Sequence, residues 1–274
     1  MTSEPEGRFH SVDVPQITYG PRRRFLRTSD GVQIEAFYQP CTRSVSDIAV
    51  VVAHGFTGSI HRPALRRAAD VLAQHANVVA FSFRGHGHSG GRSTIGDREV
   101  LDLAAAVEWA RTFGHSRVVT VGFSMGGSVV LRHAALYGPG RGERPEAGTD
   151  AVVAISAPAR WYYRGTAPMR RLNWVVSRPV GRLVSRYGLG TRIHRSGTAW
   201  DPVPLSPVEA VPLIAPTPLL IVHGDRDPYF PLDHPRTLAA AGEAELWLEA
   251  GMGHAENAAD EGLLGRIAHW LAQE

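Results

Sequence analysis

Short runs of apolar and β-branched residues alternate along the chain with longer segments whose apolar residues recur at helical spacing. Six of these runs have the pattern of buried strands and lie at 48–52, 78–83, 118–122, 152–155, 219–222 and 244–248. Each run lies close to a glycine or a proline, which are residues that interrupt regular structure. Strand and amphipathic helix in repeated alternation are typical of a mostly parallel sheet with helices on both faces. The sequence therefore predicts an α/β fold.

The segments between these runs have the apolar periodicity of helices. The predicted helices span 63–75, 99–113, 125–136 and 263–271. Before the first buried strand, Asp30 and Gly31 separate two short runs and predict a hairpin at the edge of the sheet. A chain of 274 residues with 43% hydrophobic residues can fill one large core. We expect a single α/β domain.

The connection between the fourth and fifth predicted buried strands is far longer than the connections usual in such domains. We expect residues 1–156 and 217–274 to form the core domain and residues 157–216 to form an inserted helical lid. Pro179 is expected to divide the insertion into two helices. Apolar residues at helical spacing are Met169, Leu172, Val176, Val180, Leu183, Val184 and Tyr187, and arginines on other faces are Arg170, Arg171, Arg178, Arg182 and Arg186.

The charge pattern and the cysteine content limit the classes of partner. All 29 basic residues are arginines, yet the formal net charge is only +3. GC-rich coding explains arginine without lysine more simply than a nucleic-acid partner does, and no nucleic-acid motif accompanies the arginines. We therefore expect no nucleic-acid partner. The single cysteine, Cys41, rules out an internal disulfide.

The location of the protein is predicted from its apolar runs. The first twenty-five residues contain no apolar stretch of signal-peptide length, and no later run approaches the roughly 20 apolar residues that span a bilayer. The expected location is the cytoplasm. Peripheral membrane contact stays possible, since the insertion's arginines could meet a lipid surface, a carboxylate or a thioester carrier, although a solvated helix face is the simpler interpretation.

The motif G-x-S-x-G at 122–126 follows a predicted strand directly and precedes a predicted helix. In this setting the motif forms a sharp turn that holds its serine above the sheet. Gly122 and Gly126 are needed where the helix crosses close to the strand. The positive end of the helix behind the turn also favours developing negative charge. Ser124 is the candidate nucleophile.

A serine hydroxyl needs a base to accept its proton, and an imidazole has the right basicity near neutral pH. Among thirteen histidines, His254 is the candidate because it lies between the last predicted strand and the last predicted helix. A buried carboxylate must then orient the imidazole. Asp227 is preferred for this role, while Asp225 stays an alternative that could instead form a hydrogen bond within its turn.

Acyl transfer also needs two N–H donors for the oxyanion. The backbone amides of Met125, just after the nucleophile, and Phe56, in the glycine-flanked turn after the first buried strand, are the expected donors. We interpret His54 as a residue that packs this loop. His86 and His88 lie in a glycine-rich turn with no third ligand nearby in sequence, so no metal is expected there.

In these motifs and their order the chain resembles the α/β-hydrolase superfamily, and most of all short-lid bacterial carboxylesterases of the feruloyl-esterase and monoacylglycerol-lipase kind. The matching segments are the turn at 54–58, the arginine-glycine segment at 83–91, the serine turn at 122–126, the aspartate turn and the final Gly-His turn. Ser82 stands where family members often have an aspartate, so the hydrogen-bond network behind Arg84 is expected to differ.

The resemblance and the residues together imply a serine hydrolase that cleaves small-molecule carboxylic esters through an acyl-enzyme and needs no cofactor. Thioesterase or peptidase activity with the same residues stays an alternative. A different class, a ligand-binding or receptor member of the fold, is the second alternative. The aromatic residues of the insertion either line a substrate pocket or form part of a core, and they are Trp161, Tyr162, Tyr163, Trp174 and Trp200.

Overall fold

The computed structural model describes residues 22–43, 46–141, 144–195 and 199–274. The N-terminal 21 residues and part of the predicted insertion lie outside these ranges. In the described chain eight strands form one sheet. They are β1 Arg22–Arg27, β2 Gln33–Gln39, β3 Ile48–Ala53, β4 Asn77–Phe81, β5 Arg117–Phe123, β6 Val152–Ile155, β7 Leu219–Gly224 and β8 Glu245–Glu249.

The sheet has the strand order β1-β2-β4-β3-β5-β6-β7-β8. Strand β2 runs antiparallel to both of its neighbours, and β3 to β8 are parallel to one another. The β1–β2 hairpin turns at the predicted Asp30-Gly31 step, where Gly31 has φ of +84°. Because all the parallel strands end on the same edge, the loops that follow them meet there.

Helices cover both faces of this sheet. They are α1 Pro63–Leu72, α2 Glu99–Arg111, α3 Met125–Tyr137, α4 Ala167–Ser177, α5 Pro179–Gly188, α6 Pro207–Ala210, α7 Asp233–Ala240, α8 Ala255–Ala258 and α9 Glu261–Gln273. Residues of α1 and α9 form the apolar core on one face, and residues of α2 and α3 form the core on the other. The predicted α/β architecture, with helices on both faces of a mostly parallel sheet, is confirmed.

One predicted strand ends earlier than expected. The sequence pattern extends it to residue 83, but β4 ends at Phe81. The backbone amide of Phe83 donates instead to Nε2 of His54, at 3.0 Å. The imidazole of His54 therefore takes the place of a backbone carbonyl on a neighbouring strand. The apolar pattern alone does not reveal this replacement.

Arg84 anchors the loop after β4 to the β1–β2 turn. Its Nη2 donates to Oδ1 of Asp102 at 2.7 Å, and its Nη1 donates to Oδ2 of Asp30 at 2.7 Å. Ser82 takes no part in holding this guanidinium in the described contacts, and its Oγ accepts from the amide of Ile60 at 3.1 Å. Two carboxylates distant in sequence thus hold the arginine, and the serine serves a different loop.

The segment between β6 and β7 contains the two helices expected on either side of Pro179. Helix α4 ends at Ser177, and α5 begins at Pro179 itself. The apolar residues of α5 are largely exposed, with Tyr187 at 76% of its possible surface. Among the described residues no helix is both long and apolar enough to cross a membrane.

Candidate active site

Ser124 occupies a strained turn between β5 and α3. Its φ of +52° lies in the region that residues other than glycine rarely adopt. Its amide donates to the carbonyl of Ile155 at 2.8 Å, which ties the turn to the end of β6. Such strain persists only where the surroundings hold it, so the turn fixes the direction of the hydroxyl.

Three side chains from three loops form a continuous hydrogen-bonded chain. The hydroxyl of Ser124 lies 2.9 Å from Nε2 of His254. Nδ1 of His254 lies 2.6 Å from Oδ2 of Asp227. Because a carboxylate accepts hydrogen bonds, Nδ1 carries the imidazole proton, and Nε2 is free to accept from the serine. The structure therefore brings together the three side chains that the sequence selected.

Asp227 is held as an anion in a site closed to solvent. Its side chain has no exposed surface, and its Oδ1 accepts from the amides of Tyr229 at 2.8 Å and Phe230 at 3.1 Å. Burial alone would raise the pKa of Asp227, but the hydrogen bonds from His254 and from these amides outweigh it and hold the pKa below its ordinary value. The rings of Tyr229 and Phe230 also lie against the imidazole, with centroids 4.3 Å and 5.7 Å away.

Asp225 makes a different contact. Its Oδ1 accepts from the amide of Gly251 at 2.6 Å, which links the aspartate loop to the turn that precedes His254. The expected contact was within its own turn, whereas the partner lies in the neighbouring loop. Asp225 therefore stabilises the loop before His254, whereas Asp227 forms the hydrogen bond with the imidazole.

The two expected oxyanion donors lie at the cavity beside Ser124. Phe56 and Met125 both line it. Within the described residues, neither backbone amide donates to an acceptor of the protein. An amide without an acceptor in the protein is what a donor to an oxyanion requires.

Two polar residues that the sequence reasoning missed brace the loops of this site. Oγ of Ser156 accepts from the amide of Ala255 at 3.0 Å, and both residues have positive φ. Oε1 of Glu256 accepts from the amide of Gly55 at 3.1 Å. Gly55 directly precedes Phe56, and Ala255 and Glu256 directly follow His254. The first contact ties the imidazole loop to the loop after β6, and the second ties it to the expected oxyanion loop.

Two further histidines lie in the loops around this site and contact backbone groups. His54 is buried, its Nδ1 donates to the carbonyl of Gly55 at 2.7 Å, and burial holds its pKa well below the ordinary value. His86 is also buried, and its Nδ1 donates to the carbonyl of Arg84 at 3.0 Å. Burial lowers the pKa of His86 to about 4. Both rings support loops, as expected for His54.

A cavity of about 110 Å³ opens beside Ser124 and is mainly apolar. Helix α4 contributes Met169, Leu172 and Val176 to its wall. Four of the five aromatic residues singled out in the insertion line this cavity, and the fifth does not. Those that line the cavity are Trp161, Tyr162, Tyr163 and Trp200. Trp174 lies outside it and is half-exposed.

A strained serine after a central parallel strand, hydrogen-bonded to a late histidine and a buried aspartate, is the arrangement of the α/β-hydrolase class. The model of the "Alpha/beta hydrolase family" matches residues 50–262. The chain belongs to this family.

Two curated proteins are similar in sequence to this chain. A monoacylglycerol lipase of Mycolicibacterium smegmatis is 28% identical over 246 residues, covering 75% of this chain and 80% of that protein. Esterase LipC of Mycobacterium tuberculosis is 28% identical over 193 residues, covering 64% of this chain and 45% of that protein. This chain thus spans less than half the length of LipC.

Among solved structures, esterase Pf2001 of Pyrococcus furiosus is similar over nearly the whole chain. The TM-score is 0.69 at 23% sequence identity, and the match covers 98% of this chain and 99% of the esterase. At this identity the likeness concerns the fold.

The close contact behind the nucleophile yields a first prediction. A Cβ at Gly126 would collide with the backbone carbonyl of Ala53, which cannot move without disturbing β3. We expect Gly126→Ala to lower the free energy of unfolding by about 3 kcal/mol or more, or to prevent folding. Gly265→Ala is the matched control because a Cβ there, within α9, meets no atom within 4 Å. It should leave stability unchanged or raise it by about 0.5–1 kcal/mol. Urea unfolding measures both, and equal stability of the two variants would contradict the prediction.

Proposed function

We propose that this member of the alpha/beta hydrolase family hydrolyses carboxylic esters of small molecules, with Ser124 as nucleophile, His254 as general base and Asp227 as the group that orients the base. The observation that carries the proposal is the hydrogen-bonded chain from Asp227 through His254 to Ser124. The relatives named as a monoacylglycerol lipase and an esterase support an ester as the substrate.

The first half of the reaction forms an acyl-enzyme. Oγ of Ser124 attacks the ester carbonyl while Nε2 of His254 takes the hydroxyl proton. The carbonyl oxygen becomes an oxyanion and accepts hydrogen bonds from the amides of Phe56 and Met125. The tetrahedral intermediate then collapses. The bond to the alkoxy oxygen breaks, and His254 gives its proton to the leaving alcohol.

The second half of the reaction returns the serine. His254 removes a proton from water, and the resulting hydroxide attacks the acyl carbonyl at the same oxyanion position. Collapse of this intermediate breaks the bond to Oγ of Ser124, which takes the proton back from His254. The carboxylic acid leaves. Ester, water and the protein's own residues account for every bond and proton, so no cofactor is required.

The electrostatics of the site favour the charged species along this path. When His254 is protonated, the buried anion of Asp227 at 2.6 Å stabilises the imidazolium. Helix α3 begins at Met125, so its positive end points at the developing oxyanion. The imidazolium therefore lies beside a fixed anion, and the oxyanion lies at the positive end of a helix dipole.

The cavity supports a short acyl group. An engineered apolar cavity of about 150 Å³ accommodates benzene, and the space beside Ser124, at about 110 Å³, is smaller. Trp161 and Trp200 limit it, with ring centroids 5.1 Å apart. Their indole N–H groups are tied to the carbonyls of Pro204 and Thr94 at 3.0 Å and 2.9 Å, so the rings are fixed in place.

The nucleophile is tested by Ser124→Ala. We expect the release of p-nitrophenol from p-nitrophenyl butyrate to fall by about 10⁴-fold or more, because the group that forms the acyl-enzyme is lost. Ser116→Ala, at an exposed serine, is the control and should retain full activity. If the intact protein and both variants are equally inactive on esters, the ester assignment fails and thioesters become the next substrates to assay. Retained activity in Ser124→Ala would overturn the mechanism.

The two aspartates are separated by a matched pair of variants. Asp227→Asn should lower kcat by about 10⁴-fold, since an amide favours the wrong imidazole tautomer and cannot stabilise the imidazolium. Asp225→Asn keeps an acceptor for the amide of Gly251, so its kcat should change by less than about tenfold. Stopped-flow or steady-state kinetics on one ester gives both values. A larger loss in Asp225→Asn would transfer the orienting role to that residue.

The preference for acyl length follows from the cavity wall. We expect kcat/KM to be higher for p-nitrophenyl butyrate than for the palmitate ester. Trp161→Ala should raise kcat/KM for octanoate relative to butyrate by about tenfold, because it opens room to bury further CH₂ groups at about 0.8 kcal/mol each. Trp174→Ala is the control, since this indole lies outside the cavity. An unchanged chain-length profile in Trp161→Ala would show that another wall limits the acyl group.

A further inference from the structure

Outside the Ser124 cavity, two imidazoles and one carboxylate converge near the edge of the sheet. Nε2 of His61 lies 2.9 Å from Oε2 of Glu35, and Nδ1 of His88 lies 3.3 Å from the same carboxylate. The three potential ligand atoms all lie within 4.8 Å of one another. We propose that Glu35, His61 and His88 form a binding site for a divalent transition-metal ion such as Zn²⁺.

The spacing of these atoms fits a common point of coordination. A zinc ion holds nitrogen and carboxylate oxygen at about 2.0–2.2 Å, which places tetrahedral ligand atoms about 3.3–3.5 Å apart. The carboxylate-to-imidazole separations are 2.9 Å and 3.3 Å. The two imidazole nitrogens lie within 4.8 Å of each other, so side-chain rotation must bring all three ligand atoms to the spacing that one ion requires. Three protein ligands leave a fourth position for water.

The ligand-bearing segments are held in place by hydrogen bonds that do not involve the ligand atoms. The amide of Glu35 donates to Oγ of Ser89 at 2.9 Å, and its carbonyl accepts from the amide of Ser82 at 2.8 Å. Ser89 directly follows one of the two histidines. Oγ of Ser82 accepts from the amide of Ile60, which directly precedes the other histidine, at 3.1 Å. Both serines are fully buried. The scaffold thus exists without the ion, as a preorganised site requires.

The charge of the cluster suits a cation. The carboxylate of Glu35 is nearly buried, with 9% of its side chain exposed, and in the described part of the chain its ion-pair partners are the two histidines and no arginine. At neutral pH a bound cation would meet the negative charge of this carboxylate. The two imidazoles are 36% and 69% exposed, which leaves a path from solvent.

The donor set selects among cations. Imidazole nitrogen favours Zn²⁺, Cu²⁺ and Ni²⁺, whereas Mg²⁺ and Ca²⁺ prefer oxygen ligands. His86, the other histidine of the same turn, is buried and bound to the carbonyl of Arg84, so it is not a ligand. The site joins residues 35, 61 and 88, which no spacing motif connects.

Calorimetric titration of the chelator-treated full chain with ZnCl₂ tests the site. We expect one ion per chain, binding weakened at least tenfold in His88→Ala and in Glu35→Gln, and no detectable binding of Mg²⁺. His75→Ala, at an exposed histidine elsewhere on the surface, is the control and should bind zinc as the intact protein does. Ser124→Ala should also bind zinc normally, so failure of this proposal is distinguishable from failure of the hydrolase proposal.

A second measurement identifies the ligands directly. The electron paramagnetic resonance spectrum of one equivalent of Cu²⁺ should show coupling to two nitrogens in the intact protein and to one in His88→Ala. Zinc should also raise the thermal unfolding midpoint of the intact protein and leave that of His88→Ala unchanged. The proposal is overturned if the intact protein takes up no zinc, or if His88→Ala and His61→Ala bind it as tightly as the intact protein.

Discussion

The close crossing of α3 over the ends of β5 and β3 is the constraint on which the rest of the site depends. A Cβ at Gly122 would collide with the carbonyl of Gly126, and one at Gly126 would collide with that of Ala53. Only glycine lets the helix begin this near the strands. The short distance forces Ser124 to positive φ, a cost of order 1–3 kcal/mol that the surrounding sheet and helix must offset. The same strained backbone holds the hydroxyl of Ser124 in a single direction.

Parallel topology explains why so much of the site follows from local motifs. Ser124, Asp227, His254 and Phe56 each come from a loop that follows a different parallel strand, and parallel strands end at the same edge of a sheet. A motif recognised directly after a strand is therefore already placed in space, whatever its distance along the chain. That is why residues separated by 130 positions could be predicted to meet, as the 2.9 Å contact between Ser124 and His254 illustrates. Their chemical roles stay predictions.

Contacts between loops could not be predicted in this way. Glu256 reaches the amide of Gly55 across 201 positions, and Ser156 reaches that of Ala255 across 99. Neither acceptor belongs to a motif, because a side chain that braces a loop needs only one oxygen at the right place, and several residue types supply it. The neighbours of His88 could not be predicted for the same reason. The turn around His88 contains no further candidate metal ligand besides His86, and Glu35 and His61 come close to His88 only in the folded chain.

The insertion shows a further limit of what the spacing of apolar residues can predict. Apolar residues at helical spacing predicted both helices, yet Val176 in α4 lines the cavity while Tyr187 in α5 faces solvent. The spacing of apolar residues shows which of them share one face of a helix, but it does not show what that face contacts. The wall beside Ser124 comes largely from this segment. The proposed substrate preference therefore depends on the insertion, whereas the proposed reacting groups lie on loops that follow the parallel strands.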